Sequence, residues 1–225
     1  MSHPRFARLA FHLSTISALV LAPVCAAAGA SSAPAAKAPS ARPALAHALF
    51  AGGCFWSMEK AFEDVPGVVA AVSGYSGGTV ARPSYELVCS GTTGHFETVR
   101  VDYDPAKIGY ERLLDIYWHN TDPTDAGGQF CDHGQQYQPV IFVAGEDQRA
   151  AAEASRKALE ASGVLSRPVA TRILRAGPFY PAEDHHQDFF KTNPAHYEAY
   201  RVGCGRDQVM AALWGKDAHR GSAHR

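Results

Sequence analysis

Apolar and polar positions along this chain follow two rhythms, one of two residues and one of three to four. Residues 48–51 form a short apolar run that reads as a strand and enters Gly52-Gly53. Beyond Cys54, Phe55, Phe62 and the aliphatic stems of Glu59 and Lys60 recur on helical spacing until Pro66-Gly67 stops them. Residues 68–75 predict a second strand, closed by Ser76-Gly77-Gly78. A loop carrying Pro83-Ser84-Tyr85 and a polar turn at 88–94 follow. Residues 95–103 alternate cleanly and predict a third strand, ended by Asp104-Pro105. Residues 110–119 predict an amphipathic helix with Leu113, Leu114, Tyr117 and Trp118 on its apolar side. After a long loop at 120–138, the pattern predicts a buried strand at 140–144 and a charged, Ala-rich helix at 146–161. A strand at 169–174, a short helix at 183–191 and helical segments at 197–206 and 210–214 complete it. The order strand, helix, strand, strand, helix, strand, helix, strand contains a split β-α-β unit. It predicts an α+β two-layer sandwich with a ferredoxin-like mixed sheet.

The two ends break the rhythm. Arg5 and Arg8 precede an apolar stretch at 13–24 and small-residue sites at Ala26-Ala27-Ala28 and Ala28-Gly29-Ala30. Residues 1–28 are therefore expected to be a secretory signal peptide, too short to span a membrane. Residues 29–46, rich in Ala and Pro, read as a flexible linker, residues 47–215 as one domain, and residues 216–225 as a disordered tail. The expected location is periplasmic or secreted, as a monomer with no membrane attachment after cleavage. The formal net charge of −1 offers no basic field for nucleic acid. Of the five cysteines, Cys54, Cys89, Cys131 and Cys204 remain after the signal, widely spaced and without Cys-x-x-Cys. That argues against a zinc ribbon and a thioredoxin-type pair. Adjacent His185 and His186 point in different directions on a helix and make a poor metal pair, and no P-loop or dinucleotide fingerprint is present. Neither a metal nor an organic cofactor is expected.

Two residues stand out chemically. Cys54 falls at the first turn of a helix, where unpaired amides and the helix dipole favour the thiolate. Phe55 and Trp56 place apolar surface beside it. Glu97 shares a strand face with Val99, Val101 and Tyr103, while Thr98, Arg100 and Asp102 point the other way. A carboxyl on an apolar face has a raised pKa and serves as an acid near neutral pH. The long loop carries Cys131-Asp132-His133 and ends near Tyr137, and loops of this length in compact domains carry function. A thiolate, an acid and a second thiol form a redox set: one sulfur attacks, the acid protonates a leaving oxygen, and the second sulfur restores the first through a disulfide. The same set would suit a thiol peroxidase or another thiol–disulfide enzyme. Four cysteines would also staple a secreted binding domain without catalysis.

The motifs in order resemble one family. Gly53-Cys54-Phe55-Trp56-x-x-Glu59, Gly74-Tyr75-Ser76-Gly77-Gly78, the run at 88–95, the strand from Glu97 to Tyr103 with Asp104-Pro105, Asp132-x-Gly134-x-Gln136-Tyr137 and Glu183-Asp184-x-His186-Gln187 are similar to the type A peptide methionine sulfoxide reductases. The resemblance implies reduction of the S epimer of methionine sulfoxide, free or in proteins, with electrons from a thioredoxin-like dithiol. It implies that Cys54 attacks the sulfoxide sulfur and becomes a sulfenic acid. It implies that Glu97 protonates the oxygen, that Tyr85 and Tyr137 donate hydrogen bonds to it, that Phe55 and Trp56 hold the methyl group, and that Asp132 shapes the pocket. The chain departs from common members in its Arg- and Tyr-containing tail, with Cys204 alone there, and in Ser57, a cysteine in some members. Cys204, freed by Gly203 and Gly205 and flanked by Arg201 and Arg206, is the expected resolving thiol, through a Cys54–Cys204 bridge. Cys131 is the second candidate, and Cys89 is expected to be structural. Mass spectrometry of protein from its native host is expected to find a mature chain starting after Ala28 or Ala30. Retention of Met1 or Ser2 would refute the signal peptide.

Overall fold

The computed structural model describes residues 44–221. The expected signal peptide, the expected linker up to residue 43 and the last four residues of the expected tail lie outside the described residues. β1 (Ala46–Ala51) runs through Gly52-Gly53-Cys54 into α1 (Phe55–Phe62). β2 (Val68–Ser76), α2 (Tyr85–Cys89), β3 (Phe96–Tyr103) and α3 (Tyr110–Trp118) follow. Within the long loop, β4 (Gly128–Gln129) and β5 (Asp132–His133) pair as a small hairpin. Then come β6 (Val140–Val143), α4 (Glu146–Ala161), β7 (Arg172–Arg175), β8 (Phe179–Pro181), α5 (Phe189–Thr192), α6 (Pro194–Gly203) and α7 (Arg206–Trp214).

The main sheet has the order β7-β6-β1-β3-β2-β8. β3 lies between β1 and β2 and is antiparallel to both, so α1 joins two strands that another separates. β6 and β7 run parallel, which makes the sheet mixed and the fold α+β. Alternate residues of β1 enter different apolar layers. Ala48 and Phe50 join Val99, Val101 and Ile141 against Met58 and Phe62 of α1 and Leu113, Leu114 and Tyr117 of α3. Leu49 and Ala51 face the other way, with Phe96, Val140 and Phe142. Burial on both faces is why β1 reads as an unbroken apolar run and not as an alternation. Phe50 is central, with ring centroids 5.1 Å from Phe62 and 5.2 Å from Tyr117.

The structure departs from the sequence pattern where elements are short or borrowed. The expected loop after Pro83 contains α2, whose N-cap Ser84 accepts from the Leu87 amide at 3.4 Å. Five residues are too few for a helical period to show. The expected strand at 169–174 starts only at Arg172, because the amides of Ala170 and Thr171 donate to the Pro123 carbonyl. The expected helix at 183–191 is a 3-10 turn at 184–186 and then α5, divided at Asp188 with φ +50°. There the Gln187 side chain takes the place of a strand, accepting from the Ser73 amide at 3.0 Å and donating to its carbonyl at 2.9 Å. Residues 216–221, expected to be disordered, fold onto the end of α3. The His219 amide donates to the His119 carbonyl at 2.9 Å, and Arg220 pairs with Asp115 at 2.9 Å.

One buried carboxyl ties α1 to the rest. Glu59 accepts from Ser73 Oγ at 2.7 Å and from the Asp188 amide at 3.0 Å, joining α1, β2 and the start of α5. Burial pushes its pKa up to about 7. The folded protein therefore holds a proton on Glu59 that the unfolded chain, at the ordinary 4.5, releases, so this contribution to stability is lost as pH rises from about 4.5 through 7. Glu59→Ala strands the buried Ser73 hydroxyl and the part-buried Asp188 amide and is expected to lose about 2–4 kcal/mol in urea unfolding at neutral pH, at about 1–3 kcal/mol for the buried group and less for the part-buried one. Glu59→Gln keeps an acceptor and is expected to lose less than half as much, with a shallower fall in stability across that pH window.

Candidate active site

The site is built where β1 turns into α1. Gly53 has φ +82°, and a Cβ there would lie 2.6 Å from Cβ of Gln129, so this sharp turn requires glycine. Cys54 is the N-cap of α1, and its carbonyl accepts from the amides of Ser57 (3.1 Å) and Met58 (3.3 Å). The next amide, on Phe55, donates to Glu97 Oε2 at 2.9 Å. Glu97 is 2% exposed and lies on the same face of β3 as buried Val99 and Val101, as alternation predicts. Burial pushes its pKa up to about 8, although the Phe55 N–H pulls it back. It is protonated at neutral pH and has a proton to give.

Cys54 differs from its expectation. Burial, then the charges of Glu97 and Asp132, push its thiol well above the ordinary value, against hydrogen bonds from the Tyr200 side chain and the Trp56 backbone. The resting residue is a thiol, not a thiolate. A helix start alone does not overcome desolvation here, because the Phe55 amide is taken by Glu97.

Cys54 opens into a cavity of about 270 Å³. Phe55, Trp56, Tyr85 and Tyr137 form its aromatic side, and Glu97 and Asp132 its acidic side. The segment 183–187 sets the aromatic wall. Glu183 accepts from the Tyr75 hydroxyl and from the Tyr85 amide, each at 2.9 Å. Trp56 stacks on Phe189 with centroids 3.8 Å apart and donates its indole N–H to His186 Nδ1 at 3.2 Å. The His186 ring lies 4.4 Å from that of Tyr85. Burial holds the His186 pKa below its ordinary value and raises those of Tyr85 and Tyr137, so the imidazole is neutral and the phenols keep their protons. Cys89 is a free, half-buried thiol hydrogen-bonded to Tyr85 and Tyr137.

The long loop and the tail close the other side. Gln129, fully buried, accepts from the Asp122 amide (2.8 Å) and donates to the Asp122 carbonyl (2.7 Å), which locks the hairpin carrying Asp132. Arg206 at the start of α7 is 3% exposed. It donates to the Asn120 carbonyl at 2.5 Å and lies 4.5 Å from the Phe130 ring centroid, so the tail grips the loop through a buried cation. The Tyr200 hydroxyl of α6 donates to Asp132 Oδ2. Cys131 and Cys204 form a disulfide with Cα atoms 4.8 Å apart, while Cys54 is free. Potential ligand atoms of Cys131, Asp132 and Cys204 lie within 4.8 Å of one another, but both sulfurs are used by the disulfide.

Thus seven of the expected residues, Cys54, Phe55, Trp56, Tyr85, Glu97, Asp132 and Tyr137, line one cavity. Cys204 meets Cys131 instead of Cys54. Tyr200 is one helical turn before Cys204 and reaches Asp132, so Cys204 falls beside the neighbouring Cys131. Sequence reasoning missed Tyr200 and His196, which line the cavity from α6, and the supporting roles of Glu183 and His186. The i, i+4 spacing of Tyr200 and Cys204 was the available signal.

Comparison with known proteins agrees with this geometry. The family model for peptide methionine sulfoxide reductase matches residues 46–218. The chain is 54% identical over 170 residues to the peptide methionine sulfoxide reductase MsrA of Listeria innocua, covering 76% of this chain and 96% of the relative. It is 51% identical over 169 residues to that of Bacillus licheniformis, covering 75% and 93%. Among solved structures it resembles methionine sulfoxide reductase A of Corynebacterium diphtheriae, with TM-score 0.60, 34% identity and coverage of 68% of this chain and 77% of that one. It also resembles reduced Mxr1 of Saccharomyces cerevisiae, with TM-score 0.61, 29% identity and coverage of 67% and 86%. With a family match across nearly all the described residues and a cavity that joins a cysteine to a protonated acid, the chain belongs to the peptide methionine sulfoxide reductases of the MsrA type, oxidoreductases acting on methionine sulfoxide.

Proposed function

We propose that this chain reduces the S epimer of methionine sulfoxide, free or within oxidised proteins of an exported compartment, through a sulfenic acid on Cys54. The observation that carries the reading is the pairing of Cys54 with a buried, protonated Glu97 in one aromatic-walled cavity. Phe55 and Trp56 receive the methyl group and thioether stem. Tyr85 and Tyr137, kept protonated by burial, donate hydrogen bonds to the sulfoxide oxygen. The Cys54 sulfur attacks the sulfoxide sulfur and Glu97 protonates the oxygen. Methionine then leaves with two electrons gained, and Cys54 holds the oxygen as a sulfenic acid.

Recycling uses Cys204 and Cys131. Cys204 displaces water from the sulfenic acid and forms a Cys54–Cys204 disulfide. Cys131 then attacks Cys204, which releases Cys54 as a thiol and leaves Cys131–Cys204. The disulfide present, with Cys54 free, is the product this order leaves. A thioredoxin-like dithiol reduces it, and no metal or organic cofactor enters the scheme.

Cys54→Ser is expected to fold and to show no S-sulfoxide reduction with dithiothreitol, since no other group supplies the nucleophile. Measurable turnover by this variant would overturn the assignment. Glu97→Gln is expected to lose about 10²-fold or more in rate, the scale of a positioned acid. Wild-type single-turnover rates should also fall above pH about 8, where Glu97 gives up its proton, and the variant should lack that fall. An undiminished Glu97→Gln rate would move the acid to a phenol. Peptide mapping after one turnover should trap a Cys54–Cys204 bridge in Cys131→Ser. A Cys54–Cys131 bridge in Cys204→Ser, formed at the wild-type rate, would reverse the order.

A further inference from the structure

One buried cation of the tail touches the chain beside each of the three redox sulfurs. Arg206 opens α7, is buried, and stands two residues after Cys204. Its guanidinium lies 4.5 Å from the ring centroid of Phe130, the residue before Cys131. Its Nη2 donates to the Asn120 carbonyl at 2.5 Å, just beyond α3, and lies 3.7 Å from Met58 Sδ. Met58 sits early in α1, and its amide donates to the Cys54 carbonyl at 3.3 Å. These partners are a carbonyl, a thioether and a ring face, not a carboxylate. They return only part of the hydration that a guanidinium loses on burial, so packing alone would be served as well by an apolar side chain. What the guanidinium adds is direction, because its planar group bonds the end of α3 and stacks on the hairpin at once. We propose that Arg206 is the positioning residue of the recycling relay, holding Cys131 and Cys204 within exchange reach of each other.

The surroundings give this contact its leverage. Gln129 locks the β4–β5 hairpin to the backbone of Asp122, which fixes Phe130 and Cys131 on the loop side. On the tail side, Cys204 is the C-cap of α6, and Gly205 turns the chain into α7 with φ +65°. Arg206 is the first side chain beyond that turn, so its grip on the loop sets where Cys204 stands. Neither end of the grip is a sulfur, and opening the disulfide removes none of its atoms. The step it serves balances. The Cys131 thiolate attacks the Cys204 sulfur of Cys54–Cys204. A new S–S bond forms as the old one breaks, and Cys54 leaves with the electron pair and takes up the proton that Cys131 gave up. No net oxidation occurs. The rate of such an exchange follows the effective concentration of the attacking thiol, and so does the stability of the disulfide it forms.

The inference deepens the proposed recycling order, and its main test does not need the sulfoxide reaction. The full chain is equilibrated in dithiothreitol redox buffers, free thiols are alkylated, and Cys131–Cys204 is counted by peptide mapping. Arg206→Met keeps much of the side chain's bulk and removes the guanidinium. It is expected to raise the potential of Cys131–Cys204 by about 30 mV, which corresponds to a tenfold lower effective concentration. Phe130→Leu removes the ring under the cation and is expected to shift the potential the same way by less, with the double variant little beyond Arg206→Met. Near-UV circular dichroism identifies variants that keep native packing. A native-like Arg206→Met at the wild-type potential would overturn the proposal. Should that variant not fold, Phe130→Leu at the wild-type potential would do the same. A second arm starts from the fully reduced chain with methionine S-sulfoxide and no added reductant. The wild type is expected to release about two methionines per chain, because the exchange frees Cys54 for a second attack. Arg206→Met should stop near one over the same time, with Cys54–Cys204 as the bridge found. A second methionine released at the wild-type rate would count against the role of Arg206. A wild type that releases no methionine strikes the proposed function instead, and the potential still decides what Arg206 does.

Discussion

The hydrogen bond from the Phe55 amide to Glu97 is the contact on which the rest of the site depends. It fixes the first turn of α1 to the inner face of β3 and brings the sulfur of Cys54 into the cavity that holds the carboxyl. It also uses an amide that would otherwise favour a Cys54 thiolate. The acid is then kept neutral by burial and the thiol is kept protonated by the same burial. Both groups therefore rest uncharged at neutral pH.

Burial on this scale requires support from distant chain. β3 can hold Glu97 inside because Val99 and Val101 beyond it are in the main core. Glu59, Glu183, His186 and Gln187 then use their polar atoms structurally. Glu59 binds α1 to β2 and α5, Glu183 sets Tyr85, His186 orients Trp56, and Gln187 pairs with β2. These residues recur in the family-like motifs beside the reacting groups, yet their work is to satisfy buried donors and to position aromatic rings.

The tail is part of the same construction. Arg206 inserts a buried guanidinium against Phe130 and the Asn120 carbonyl, the Trp214 indole donates to the Thr121 carbonyl at 3.1 Å, and Arg220 pairs with Asp115. These contacts place α6 over the cavity, with Tyr200 and Cys204 aimed at adjacent loop residues. The Cys131–Cys204 disulfide and the Tyr200 phenol thus come from one end of α6 and meet adjacent residues of the loop.

Much of this was legible in the chain alone. Periodicity located β1, β2, β3, α1, α3 and α4, because long regular elements bury a repeating face. The alternation in β3 placed Glu97 inward, and the Gly-Gly turn placed Cys54 at a helix start. The short elements α2, β8 and the β4–β5 hairpin left no period to read. Only the tertiary structure decided which thiol meets which. Cys131 and Cys204 are 73 residues apart, and their pairing depends on how α6 docks on the long loop, a contact set by Arg206, Asn120 and Phe130 together. It also decided the charge state of Cys54. Local sequence supplied the helix end that favours a thiolate, but desolvation depends on everything packed around the sulfur, and here it is the larger effect.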